Sequence, residues 1–190
     1  MTFTAGPPIT EPGILEGKII VSDGTKFNLR SWLPETKSPA AIILSLHGFN
    51  DYSNSFRVAG EFLAKRYNIA SFSFDQRGFG NSVNLGYWAG TTTYVEDTKE
   101  IIALLSRHYP NIPIYLIGES MGGAIAIVTM SSSNPPKING TILIAPAIWG
   151  RTTMPFYQRI ALWVGARIVP WMKVSGRVLK IKPSDNLEML

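Results

Sequence analysis

The sequence predicts an α/β fold, a mostly parallel sheet entered through an antiparallel hairpin. Three observations predict it. Short apolar runs at 40–46, 69–74, 114–117 and 138–145 read as strands buried on both faces. Stretches with apolar residues at helical spacing separate them, at 53–67, 93–109 and 120–130. The connections are short, and a strand followed at once by a helix, repeatedly, is the pattern of parallel crossover units.

Residues 14 to 33 hold two runs of strand type, Ile14 to Val21 and Lys26 to Leu33, joined by Ser22-Asp23-Gly24-Thr25. The Asp-Gly pair favours a tight hairpin turn. Pro34 to Pro39 is a linker, and Ala40 to Leu46 is the first fully buried strand. The helix that follows turns Phe56, Gly60, Leu63 and Ala64 to the core, and the next one turns Val95, Ile101, Ile102, Leu104 and Leu105. Pro110 and Pro113 close that second helix. After Pro146 the pattern changes. Phe156, Ile160, Trp163, Val164 and Ile168 recur at helical spacing, Pro170 breaks the run, and no further strand appears. The division expected is 1–146 for the sheet and 147–190 for a helical segment.

Composition limits the chemistry. The 190 residues are 45% hydrophobic and 16% charged, enough apolar material for one sizeable core and too little charge for a disordered tail. Cysteine is absent, and His47 and His108 are the two histidines, which excludes disulfides and thiolate sites and makes a metal site unexpected. No cofactor is expected. The N-terminus has neither a basic nor an apolar signal region, and no stretch reaches the roughly 18 apolar residues of a membrane span, so a cytoplasmic location is expected. The net charge of +5 is unevenly placed. No Asp or Glu lies between Glu119 and Asp185, whereas Lys137, Arg151, Arg159, Arg167, Lys173, Arg177, Lys180 and Lys182 do. This basic, aromatic-rich segment points to peripheral contact with an anionic membrane surface, with a solvated helix covering the sheet as the competing reading. No nucleic-acid-binding motif accompanies it.

Gly118-Glu119-Ser120-Met121-Gly122-Gly123 carries the strongest signal. The G-x-S-x-G pattern alone is short enough to arise by chance. Here it directly follows an apolar strand and opens a helix of small residues, the setting of a nucleophile elbow, in which a strained turn lifts a serine hydroxyl above the sheet. The plain alternative is a tight structural turn with an exposed serine. A second constellation, His47-Gly48-Phe49-Asn50-Asp51, lies at the carboxyl end of the first buried strand, the sheet edge where ligands bind. The Phe49 and Met121 N–H groups are placed to converge on one substrate oxygen. His47 is the one candidate for a base; the preferred reading is that its ring hydrogen-bonds to hold the loop. His108 precedes the strand whose far end delivers Ser120, too distant for proton transfer.

These residues, with Asp75-Gln76-Arg77-Gly78-Phe79-Gly80-Asn81-Ser82, resemble the α/β-hydrolase superfamily. The nearest branch is that of monoacylglycerol lipases and lysophospholipases, the serine aminopeptidase S33 type. The resemblance runs from about Ile14 to Ala145, with the segment beyond looking like the start of that family's lid. It implies Ser120 as nucleophile and Phe49 and Met121 as oxyanion donors, supported by Gly118, Gly122, His47 and Gly48. Phe156, Trp163 and Trp171 would line the lid side of an acyl trough. The implied substrate is a lipid ester or other small ester, and the branch also includes peptidases and thioesterases. The family places its acid and then its histidine after later strands, and this sequence shows neither. The expectation is therefore the N-terminal part of a hydrolase, nearly inactive alone and prone to self-association through an open sheet edge. A non-enzymatic pseudohydrolase binding lipid or protein, and a half completed by another polypeptide, are the alternatives.

Overall fold

The computed structural model describes residues 5–148 and 154–168. Among these residues seven strands form one sheet in the order β1-β2-β3-β5-β4-β6-β7. They are β1 (Gly13–Leu15), β2 (Lys18–Ile20), β3 (Lys26–Trp32), β4 (Ala41–Leu46), β5 (Ile69–Phe74), β6 (Ile114–Glu119) and β7 (Gly140–Ile144). The first three pair antiparallel and β3 joins β5 antiparallel, while β5, β4, β6 and β7 run parallel. The helices are α1 (Arg57–Tyr67), preceded by a 3-10 turn over Ser53–Phe56, α2 (Thr91–His108), α3 (Met121–Met130) and α4 (Phe156–Ile168).

The expected hairpin forms, with one correction. The run Ile14 to Val21 is two strands, because Glu16 (φ 49°) and Gly17 (φ 73°) both take left-handed conformations and turn the chain back on itself. Two consecutive positive φ values are what a type I′ hairpin turn requires. Glu16-Gly17 is a weaker turn signal than Asp23-Gly24, which is why the run of strand type concealed it.

β4 is buried along its whole length and supplies Ile42, Leu44 and Leu46 to the core beside Phe72, Phe74, Ile101, Leu105 and Leu116. α1 ends at Asn68, whose left-handed φ of 55° lets its N–H cap the Leu63 carbonyl. β7 is different. It is the sheet's last strand among the described residues, and Ile142, Leu143 and Ile144 stay 42–47% exposed. Its apolar composition is that of an interior strand while its surroundings are those of an edge.

Strand order explains where a site can lie. From β4 the chain crosses to β5 on one side, and from β5 it crosses back to β6 on the other. Right-handed crossovers then place α1 and α3 on opposite faces. The gap between the carboxyl ends of β4 and β6 is thus the topological switch point, the position at which open α/β sheets bind ligands.

The chain divides into two compact units, 1–148 and 149–190. The second contains α4, on which Phe156, Arg159, Ile160 and Trp163 line an open groove and the Arg167 guanidinium lies 4.3 Å from the Trp163 ring centre. Among the described residues no helix is long and apolar enough to cross a membrane.

Candidate active site

Leu46 on β4 stands in register with Gly118 on β6, so the two chains leave the sheet side by side. Beyond β6, Ser120 adopts φ 49° and ψ −110°, a backbone conformation costing ~1–3 kcal/mol that persists only where surroundings enforce it. Three backbone hydrogen bonds do so. The Ser120 N–H donates to the Ile144 carbonyl at 2.9 Å, and the Ser120 carbonyl accepts from Ala124 at 3.1 Å and Ala147 at 2.9 Å. The turn is therefore tied to the end of β7 and to the first turn of α3.

Two glycines make room for it. A Cβ on Gly118 would lie 2.4 Å from the Gly122 carbonyl oxygen, and one on Gly122 would lie 2.1 Å from the Leu46 carbonyl oxygen. Only hydrogen at these positions lets α3 begin directly against the end of β4. As a result the Gly48 loop abuts the serine: a Cβ on Gly48 would sit 3.5 Å from the Ser120 Cβ. The Phe49 and Met121 amides flank this contact, and among the described residues neither donates to an acceptor in the protein.

His47 is wholly buried. Its Nδ1 lies 2.8 Å from the Gly48 carbonyl oxygen, and its Nε2 accepts the Gln76 backbone N–H at 3.0 Å. The Gln76 side-chain amide donates to the His47 carbonyl at 2.9 Å. Burial lowers the ring's pKa below its ordinary value, against the pull of Gly48, Asp75 and Asp51. With both nitrogens engaged, the ring has no lone pair for the Ser120 hydroxyl. His108 is exposed at the last position of α2, and the six residues of β6 separate its end of the sheet from Ser120 by roughly 20 Å. A general base must come within ~3 Å. Neither histidine reaches.

The loop after β5 carries residues whose tasks are invisible in sequence. Asp75, 2% exposed, accepts hydrogen bonds from the Ser53 N–H (2.8 Å), the Ser53 hydroxyl (2.6 Å) and the Asn81 N–H (2.9 Å). Burial works to raise its pKa, but the Ser53 and Asn81 donors outweigh it and hold the carboxyl below its ordinary value. Arg77, 1% exposed, forks onto Asp97 with two 2.7 Å bonds and reaches Asp23 at 2.8 Å and Thr25 at 2.9 Å. It thereby pins the 75–82 loop to α2 and to the Asp23-Gly24 turn. The one hint in the sequence is that Asp75 and Arg77 are the last charges before a neutral stretch ending at Glu96. Among the described residues no three His, Asp or Glu side chains gather as metal ligands.

Ser120, Met121, Gly118, Gly122, His47, Gly48 and Phe49 thus share one sheet edge. Phe156 and Trp163 lie on α4 in the second unit, and Trp171 falls outside the described residues. The family model for serine aminopeptidase, S33, matches residues 37–190, which spans both sheet-edge loops and the serine turn. The chain belongs to the serine aminopeptidase S33 family. Within and around this family, the monoglyceride lipase of Rattus norvegicus is 30% identical over 131 residues, covering 68% of this chain and 42% of that protein. A putative monoglyceride lipase of Schizosaccharomyces pombe is 30% identical over 149 residues, covering 74% of this chain and 39% of its own length. This S33-family chain spans less than half the length of those curated relatives. A solved soluble variant of monoglyceride lipase from Saccharomyces cerevisiae, in complex with a substrate analogue, matches with a TM-score of 0.60 at 24% identity. That match covers 88% of this chain and 55% of the other, and shows that the fold is of α/β-hydrolase type.

Proposed function

We propose that this S33-family chain is the nucleophile-bearing part of a serine ester hydrolase of the monoacylglycerol lipase or lysophospholipase type. The observation that carries the reading is Ser120 itself, held in a strained turn against Gly48 with two unengaged amides beside it. In this mechanism the Ser120 hydroxyl gives its proton to a base as its oxygen bonds to the ester carbonyl carbon, the Phe49 and Met121 N–H groups receive the developing oxyanion, the ester C–O bond breaks and the alcohol leaves with that proton, and water then hydrolyses the acyl-serine to free acid and Ser120. The base comes from outside these 190 residues, since His47 is committed to the loop and His108 is remote. Losing a triad histidine lowers turnover by about 10⁶-fold, and the oxyanion hole alone leaves ~10³–10⁴ over water. The lipid ester substrate is supported by the names of the relatives, monoglyceride lipases.

Labelling by a fluorophosphonate probe tests the reading. The 190-residue chain is expected to label slowly, millimolar imidazole as a substitute base to accelerate it, and Ser120→Ala to abolish the signal. Fast labelling without imidazole would contradict the missing base, and labelling that survives Ser120→Ala would remove Ser120 from the chemistry.

A further inference from the structure

Ser120 is not strained alone. Ala145, the first residue after β7, also takes a positive φ, 41°, and it does so immediately before Pro146, where sterics push a residue toward extended backbone of negative φ. The two outliers are joined by hydrogen bonds. Ser120 donates its N–H to the Ile144 carbonyl and accepts the Ala147 N–H at its own carbonyl, both at 2.9 Å. In a closed four-residue turn over 144–147 the first carbonyl would take the last N–H directly. Here Ser120 stands between them and occupies both.

The geometry of one peptide unit fixes what this clamp controls. The Ser120 carbonyl and the Met121 N–H share a trans peptide and point in opposite directions, so the donors that grip the carbonyl also aim the amide. One of them, Ala124 at 3.1 Å, is the ordinary first bond of α3. The other, Ala147, comes from outside the helix and is itself held. The Pro146 carbonyl, in the same peptide unit as the Ala147 N–H, accepts the Ile148 N–H at 2.9 Å. Pro146 also rests on α3, where a Cβ on Gly123 would lie 2.8 Å from the proline Cβ and 3.0 Å from its Cα. The segment is thus fixed by β7 on one side and by α3 on the other.

We propose that 144–147 is a positioning segment, in which left-handed Ala145 lets Ile144 and Ala147 clamp both backbone groups of Ser120, and the Ala147 N–H thereby aims the Met121 N–H. This rests on the reading of Met121 as an oxyanion donor. Ala147 touches no substrate and acts through the Ser120 carbonyl. Both alanines are exposed, so their part is played by backbone and not by packing.

Two variants and one backbone replacement in the 190-residue chain test it. Ala145→Gly accepts a positive φ freely and keeps the clamp, whereas a β-branched residue resists it, so Ala145→Val drives the segment out of its conformation. Lactic acid incorporated in place of Ala147 deletes that one N–H and keeps the methyl group, which covers the case of an Ala145→Val protein that does not fold. The first readout is the residual dipolar coupling of the Met121 N–H, which reports the direction of that bond. It is expected to match the parent in Ala145→Gly and to change in Ala145→Val and in the lactate protein, with couplings in α2 unchanged in all. The second is the rate of fluorophosphonate labelling in imidazole, expected within about twofold of the parent for Ala145→Gly and roughly 10–100-fold lower in the other two, since loss of a whole oxyanion-hole donor costs about 10²–10³. A Met121 coupling unchanged in Ala145→Val and the lactate protein, an equal change in all three, or a changed coupling with an unchanged labelling rate overturns the proposal. Should the parent itself fail to label, the hydrolase reading falls, and the Met121 coupling still decides the clamp.

Discussion

Gly122→Ala sets two effects of opposite sign against each other. In a helix, alanine is favoured over glycine by about 1 kcal/mol, so local propensity says the variant of α3 is the more stable. The structure says otherwise. The added Cβ would stand 2.1 Å from the Leu46 carbonyl oxygen, 2.6 Å from its carbon and 2.8 Å from its Cβ, where ordinary contact begins at 3.4 Å. Relief requires a separation of 1.3 Å, the difference between 3.4 and 2.1, between two backbones. Leu46 is fully buried and in register with Gly118, so β4 has nowhere to retreat. Overpacking of this kind costs ~1–3 kcal/mol and more when backbone must move, which exceeds the helix gain. We expect a net loss of about 2 kcal/mol or more, read as a fall in melting temperature of ~4–8 °C for a unit of this size. Gly165→Ala, in α4, is the control: among the described residues no atom beyond its chain neighbours and the helix's own backbone lies within 4 Å of the new Cβ, so a gain of up to ~1 kcal/mol of helix stability is expected. Thermal and urea unfolding followed by circular dichroism measure both. A Gly122→Ala protein that melts at or above the parent would refute the steric account of why the elbow begins with glycine.

Two further predictions concern buried charge. Arg77→Met leaves Asp97 and Asp23 without their cation and is expected to destabilise by about 3–5 kcal/mol, while Arg77→Met combined with Asp97→Leu recovers part of that loss; strictly additive losses in urea unfolding would show that the three charges are not coupled. His47 predicts a pH slope. Its folded pKa lies below the ordinary 6.5, so as pH falls below 6.5 the unfolded chain binds the proton first and stability drops, by at most ~1.4 kcal/mol per pH unit, until the lower folded value is passed. Above 6.5 the contribution is fully present. Comparison with His47→Asn isolates it, because Asp97, which burial pushes up to about 6, and Asp23, with a pKa of about 2, are common to both proteins. Identical slopes for the two proteins between pH 7.5 and 5.5 would rule out the buried neutral ring.

The elements were legible to within about two residues wherever one periodicity dominated. β4, apolar but for Ser45, is buried throughout, and the core face expected of α2 is the one that is buried. The exceptions have local causes. Glu16-Gly17 hides a turn inside a run of strand type, and β7 has the composition of an interior strand in an edge position. At the site, the serine turn could be read because its stereochemistry involves a handful of adjacent residues, Gly118 to Gly123. For His47 the sequence left two readings, base or loop support, and a Gln76 amide 29 residues away decides between them by engaging Nε2. The task of Arg77 could not be read, since its acidic partners lie 20 and 54 residues distant.

The sequence by itself determined that the chain has one serine in an elbow pattern, two histidines to serve it, and glycines where a strand-to-helix turn needs them. Tertiary structure decided what those residues are free to do. Parallel pairing of β4 with β6 set Gly48 against Ser120, and the crossing of the Gln76 backbone spent the second nitrogen of His47. The reason is physical: the sterics of a turn are written in neighbouring residues, whereas the protonation state of a buried ring is set by whichever groups the strand order brings to its two sides.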